Sequence, residues 1–323
     1  MADATAPLAT ARIWPESNCY VDLWVGALQW LGVHAEPMLA CALTAQFDVD
    51  QWTFCKPTAS ELADLYGIRV EELNIWRDLR EQVFGQVRAG RLVLVEVDAF
   101  YLPDTAGVSY GIGHQKTTIG LRHVSDDGER ITYFHNTGCF ELDGDDLRGA
   151  LSTRVGAHEL PPFAELADVA LLRRDSAAML VPIAKHIASR RYAVSSTANP
   201  FAAWALAAAS QLADLAQRDI GNFHAWAFAT VRQAGAMAEL TAQWCEWMRT
   251  HDADATAASL NEAELALRDI AQTLAAQQFR LARVPAGRPH PGFAAALSRC
   301  AELWTASDRI VRAYTGATFP SRG

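Results

Sequence analysis

Lysine is scarce in this chain. Lys56, Lys116 and Lys185 are the lysines among 28 Lys and Arg residues, so nearly all positive charge is arginine. Asp and Glu number 37, for a net charge of −9, and no basic tail or stripe stands out. That balance argues against general nucleic-acid binding. A basic amphipathic helix of the kind that lies on membranes is also missing. The longest apolar run, residues 201–209, is too short to span a bilayer. No Lys or Arg precedes Arg12 and no apolar signal core follows, so a cytoplasmic location is expected. The six cysteines include no Cys-x-x-Cys pair and their spacing draws no disulfide framework. There is no P-loop, no Gly-rich dinucleotide fingerprint and no Gly-x-Ser-x-Gly elbow, and no bound cofactor is expected.

What is present suits a globular chain. Half of the 323 residues are hydrophobic and 20% are charged, and the length favours two domains. Pro161-Pro162 can continue neither a helix nor a central strand, so it divides residues 1–160 from 161–323. The first part reads as helices followed by a strand meander, an α+β domain. Tyr20, Leu23, Trp24, Ala27, Leu28 and Leu31 recur at helical spacing, with Ser17 or Asn18 as the cap and Gly32 as the stop. Thr58 and Glu61 form a capping-box pattern ending at Gly67, and a third helix is expected from about Val70 to Ala89 with Leu73 and Trp76 inward. Residues 92–97 read as a buried strand, 98–113 as a long loop, and 115–124 and 130–135 as a hairpin. The second part reads as an all-α bundle of four or five helices, with starts at Asn199-Pro200, Asn222 and Ser259 and a last helix from about Gly292 to Tyr314.

Cys19 is the most informative position. It falls in the first turn of a helix, where unpaired N–H groups and the dipole favour a thiolate and can hold an oxyanion. A lone cysteine is more often buried and inert. His114 then stands at a strand start, and Asn136 ends the paired strand. Cys, His and Asn in that order, each at the right kind of element end, is the chain order of papain-like enzymes: nucleophile, base and orienting residue. Taken singly, His114 reads as a strand-edge imidazole and Asn136 as a turn residue. Asp98 and Asp104 in the long loop suit an ammonium group, of an aminoacyl substrate or an acceptor amine, or else simple loop capping. Asp50, Gln51, Trp52 and Lys56 suit the same cleft, although Trp52 and Phe54 are more often core. Cys55 is a rival nucleophile, disfavoured by the Lys56-Pro57 that follows. His135 and Cys139, with Cys19 and His114, are a weak alternative as metal ligands, since no zinc spacing is present. No metal is expected.

Residues 18–24 (Asn-Cys-Tyr-Val-Asp-Leu-Trp), 50–57 (Asp-Gln-Trp-Thr-Phe-Cys-Lys-Pro), 96–105 (Glu-Val-Asp-Ala-Phe-Tyr-Leu-Pro-Asp-Thr) and 114–119 (His-Gln-Lys-Thr-Thr-Ile) resemble a bacterial family of unknown function, numbered eighteen thirty-nine. Its layout is similar to the butirosin-biosynthesis acyltransferases, with a papain-like N-terminal part and a helical C-terminal part. The family is associated with stand-alone amino acid:carrier-protein ligases. The resemblance implies acyl transfer from an aminoacylated carrier protein, whose phosphopantetheine thioester is the substrate arm, to a small-molecule or peptide amine. Cys19 matches the nucleophile, His114 the base and Asn136 the orienting residue. Papain's oxyanion-hole Gln is replaced by Ile13, so Asn18 or Gln51 is expected to supply a second donor. A papain-like amidase or peptidase using water, and a non-catalytic carrier-binding protein, are the alternatives. Docking an acidic carrier onto an acidic chain needs a local arginine patch. Arg173-Arg174 and Arg190-Arg191 are the first candidates, and Arg77, Arg80 and Arg88 the second.

Overall fold

Local capping chemistry sets the element starts. A computed structural model describes residues 12–152, 161–288 and 290–317. Its helices are α1 (Cys19–Trp30), α2 (Ala59–Tyr66), α3 (Leu79–Arg88), α4 (Gly144–Ala150), α5 (Ala177–Val194), α6 (Pro200–Leu215), α7 (Ile220–Ala227), α8 (Gln233–His251), α9 (Leu260–Leu281) and α10 (Phe293–Thr315). Its strands are β1 (Phe47–Asp48), β2 (Gln51–Trp52), β3 (Arg69–Glu72), β4 (Leu92–Asp98), β5 (Lys116–Val124), β6 (Arg130–His135), β7 (Gly138–Asp143) and β8 (Ala164–Asp168). The protein is thus mixed α+β with a helical C-terminal region. Among the described residues no helix is long and apolar enough to cross a membrane.

Asn18 opens α1 by accepting the Val21 N–H at 2.9 Å from an extended backbone. Thr58 and Glu61 make the reciprocal capping box of α2. Gly67 closes that helix at φ +71°, where a Cβ would lie 2.4 Å from the Leu171 carbonyl oxygen. The expected third helix is shorter than its periodicity suggests. Residues 69–72 are strand β3, paired antiparallel with β8, and α3 starts only where Asp78 caps the Glu81 N–H. Trp76 lies outside the helix and is 77% exposed, against the expectation that it points inward. Ser259 makes no side-chain cap, because its backbone is already helical; Asp254 caps the preceding turn of 3-10 helix instead. Asp219, not Asn222, caps α7, and a π-helical turn at Phe228–Arg232 joins α7 to α8.

The chain divides into two compact units, and neither is a contiguous stretch. The described part of the sheet unit comprises residues 18–35 and 58–175. Its six-stranded antiparallel sheet has the order β3-β8-β4-β5-β6-β7. Strand β8 lies beyond Pro161-Pro162, so the sheet continues past the division expected at residue 160; residues 153–160 lie outside the described ones. One sheet face is filled by Val93, Val95, Ile119, Leu121, Ile131 and Tyr133, packed with α3 and α4 through Val83, Phe84 and Leu147. Helix α1 covers the other face. Gly120 permits the close approach, since a Cβ there would meet Leu23 Cδ1 at 3.2 Å.

The described part of the helical unit comprises residues 12–17, 36–57, 176–288 and 290–317. Its core is rich in aromatic rings. Trp52 packs on Phe201 (centroids 4.8 Å apart) and Trp204 (6.0 Å), and Phe293 packs edge-on to Trp204 at 5.3 Å. Trp14 lies in a notch over Gly235, where a Cβ would be 2.4 Å from its ring. The buried Glu239 carboxylate accepts the Ile13 and Trp14 N–H groups at 2.7 and 2.9 Å, and Trp14 Nε1 donates to the Ala271 carbonyl at 3.2 Å. The charge and the indole N–H are thereby satisfied inside the core.

Candidate functional site

Strand pairing decides which side chains can meet at the α1 face. Asp98 pairs with Lys116, Glu96 with Thr118 and Leu94 with Gly120. Gly120 faces α1, and side chains alternate, so Glu96, Asp98, Lys116 and Thr118 share that face. Trp30, at the C-terminal end of α1, packs on Phe134 (6.0 Å between centroids) and lies 4.7 Å beneath the Arg122 guanidinium. Leu23, two turns earlier, lies over Gly120. Tyr20, in the first turn of α1, reaches Glu165 of β8, which pairs with Leu94, so α1 crosses the strands near the Gly120 row; His114 leads into the Lys116 end of β5.

At that end Asp98 organises the imidazole. Its Oδ2 is 2.5 Å from His114 Nδ1, and its Oδ1 accepts the Phe100 and Gln115 N–H groups at 3.0 and 3.1 Å. The Phe100 ring stacks on the imidazole at 4.6 Å, leaving the His114 side chain 69% exposed. Burial pushes the Asp98 carboxyl upward, but the hydrogen bonds from His114, Phe100 and Gln115 together outweigh it and hold the carboxyl below its ordinary range. Beside the pair, Lys116 Nζ meets Glu96 Oε1 at 2.6 Å. With Nδ1 engaged, Nε2 is the nitrogen available to take or give a proton.

Asp98, expected to bind substrate, thus occupies the position expected of Asn136. Asn136 is the first residue of the two-residue β6–β7 turn, at φ +47°, since His135 pairs with Gly138. Strand β6 pairs with β5 as far as Gly120 and ends at His135, before the Lys116 row. Asp104, also expected to bind substrate, is buried on the other sheet face. Its Oδ1 accepts the Tyr133 hydroxyl and its Oδ2 meets His135 Nδ1, each at 2.5 Å; His135 Nε2 lies 2.8 Å from Thr117 Oγ1. With side-chain exposures of 4% and 2%, Asp104 and His135 form an interior clamp, out of reach of a dissolved substrate. Nothing in residues 98–104 marks these two aspartates as different: Asp98 ends β4, whereas Asp104 lies in a 3-10 turn beyond it, and where β4 ends is set by its pairing with β5.

Cys19 is the first residue of α1 and is half-buried. The Asn18 oxygen is committed to its cap, and Asn18 itself is buried. Tyr20 donates its hydroxyl to Glu165 Oε2 at 2.8 Å; burial first, and then the Glu165 charge, hold the phenol protonated. Gln51 lies in β2 of the helical unit and is exposed, as is Asp50. Among the other cysteines, burial raises the Cys139 thiol against a counteracting Arg122, and pushes Cys300 up to about 12. His135 and Cys139 do not converge with others: among the described residues no three His, Cys, Asp or Glu side chains are gathered to hold a metal ion.

Most of the candidate arginines are committed within their own units. Arg80 bonds Glu129, Arg88 the Ser125 and Asp126 carbonyls, and Arg173 the Ala63 and Asp64 carbonyls. Arg174 bonds the Leu31 carbonyl and Arg191 those of Cys41 and Lys56. Arg77 lies over the exposed Trp76 ring at 5.3 Å.

Two family models match the chain. The DUF1839 N-terminal domain matches residues 4–169 and the DUF1839 C-terminal domain residues 173–313. No curated protein matches.

Proposed function

The chain belongs to the DUF1839 family, and on that footing we propose that it is a papain-like cysteine acyltransferase. The reading is carried by one observation: the helix that begins at Cys19 covers the same sheet face on which Asp98 holds His114. His114 Nε2 takes the Cys19 proton, and the thiolate attacks an aminoacyl thioester on a carrier protein. The N–H groups at the start of α1 face the developing oxyanion, and the carrier's phosphopantetheine thiol departs with the proton from His114. An amine then gives up its proton to His114, attacks the acyl-enzyme carbonyl and expels the Cys19 thiolate. Asp98 fixes the tautomer throughout and balances the imidazolium. The exposure of His114 also favours a second reading, in which water replaces the amine and the enzyme is an amidase.

Intact-protein mass spectrometry of the full chain with an aminoacylated carrier protein tests both. An acyl adduct on Cys19, absent from Cys19→Ala and discharged only when an amine is added, supports transfer. Prompt discharge in buffer alone supports hydrolysis. Carrier binding without an adduct on any residue defeats the catalytic reading.

A further inference from the structure

The thiols of Cys41 and Cys55, well apart in sequence, meet inside the helical unit. Cys55 donates its S–H to Cys41 Sγ at 3.2 Å, and both residues are buried, at 5% and 4% exposure. A disulfide is about 2.05 Å long, so bonding would need the sulfurs to close by only about 1 Å. Arg191 braces the two segments against each other, donating to the Cys41 carbonyl at 3.4 Å and to the Lys56 carbonyl at 3.2 Å. The intervening residues carry the β1–β2 hairpin, whose Trp52 is buried against Phe201 and Trp204. The backbone around the pair is therefore held, and only the two side chains need to turn.

We propose that Cys41 and Cys55 are a covalent modification site: a low-molecular-weight disulfide oxidises them to an intramolecular disulfide that closes the loop at the base of the β1–β2 hairpin. One thiol loses its proton and attacks a sulfur of the oxidant, expelling one small thiol and leaving a mixed disulfide. The second protein thiol loses its proton and attacks the protein sulfur of that mixed disulfide, expelling the second small thiol. Two protein S–H bonds and one small-molecule S–S bond are broken. One protein S–S bond and two small-molecule S–H bonds are formed, so the protein gives up two electrons and the oxidant gains them. The mixed disulfide is short-lived because the second sulfur is already in contact. The proposal is independent of the acyltransferase reading, since Cys19 belongs to the other unit.

The test uses the full chain and oxidised glutathione. The expected product is lighter than the reduced protein by two hydrogens and carries no glutathione. Titration in denaturant finds two of the six thiols lost, and non-reducing digestion yields a cross-linked peptide joining Cys41 to Cys55. Dithiothreitol restores all six. In Cys55→Ser the same treatment leaves a glutathione adduct on Cys41 or no change at Cys41; should that variant fold poorly, the wild-type peptide map decides alone. Six intact thiols after treatment, stable glutathione adducts on both Cys41 and Cys55, or a cross-link to a different cysteine each overturn the proposal.

Discussion

Asp98 and Asp104 lie close together in the chain yet hold histidines on opposite faces of one sheet. Asp98 takes His114 on the face covered by α1, while Asp104 takes His135 on the face packed with α3 and α4. One pair is open to solvent and the other is enclosed. Similar chemistry in sequence thus becomes a candidate proton relay in one place and an interior clamp in the other.

This contrast can be measured. His135→Ala removes one member of a buried hydrogen-bonded pair, leaves Asp104 Oδ2 without its partner and opens a cavity, so it is expected to cost about 3–5 kcal/mol. His114→Ala removes an exposed ring and is expected to stay within about 0.5–1 kcal/mol of wild type. Urea titration of both variants reads the difference as a midpoint shift. Equal midpoints would mean that the Asp104 clamp contributes nothing.

Asp98→Asn separates orientation from nucleophilicity. On the acyltransferase reading, the rate of Cys19 acylation is expected to fall by about 10²–10⁴-fold with little change in carrier affinity. Stability gives a second readout. Because the folded Asp98 carboxyl is held below its unfolded value, its contribution is present above the unfolded pKa, about 3.9, and is lost as pH falls through the lower folded value. Wild type should therefore lose part of its advantage over Asp98→Asn between neutral pH and about pH 3, as read from urea midpoints at both. An unchanged gap removes the hydrogen-bond account of the Asp98 carboxyl.

Gly235→Ala tests the notch that receives Trp14. The added methyl would collide with the indole, whose Nε1 hydrogen bond and buried position leave it no nearby alternative. Loss of about 2–4 kcal/mol is expected, with a changed tryptophan emission as the ring moves. Trp14→Ala with Gly235→Ala should recover most of the second loss, because the clash partner is gone.

Carrier docking gives the last prediction. Arg77 lies over the exposed Trp76 ring, so Arg77→Glu is expected to weaken carrier binding several-fold at low salt and less at high salt. Arg173→Glu is expected to lower the melting temperature instead, because that guanidinium braces the end of α2. Carrier titrations at two salt concentrations, paired with melting curves, distinguish the two outcomes.

Local signals were legible in the sequence where one residue carries the physics. The Asn18 cap, the Thr58–Glu61 box and the Asn199-Pro200 start are each complete within a few residues, and the β5–β6 hairpin follows from its turn. Long-range pairing was not legible. Val70 and Leu73 also fit helical spacing, so residues 69–72 read as the start of a helix; only β8, almost a hundred residues later, makes them a strand. By sequence position residues 12–17 and 36–57 belong with their neighbours in the first half, whereas Trp14 and Trp52 pack with α8, α9 and α6. The approach of Asp98 to His114 likewise depends on strand register, which neither residue announces.

The interrupted make-up of the helical unit imposes an order on synthesis. Trp52 emerges about 150 residues before Trp204, its partner, so at about 5–20 residues per second it waits roughly 8–30 seconds for it. Trp14 waits longer still for Ala271. During that interval the apolar residues of 36–57 have no native cover, while most of the sheet unit is already being made. A newly made chain therefore carries its greatest exposure to chaperones and to aggregation in the middle of translation, and it sheds that exposure only when the last helices arrive.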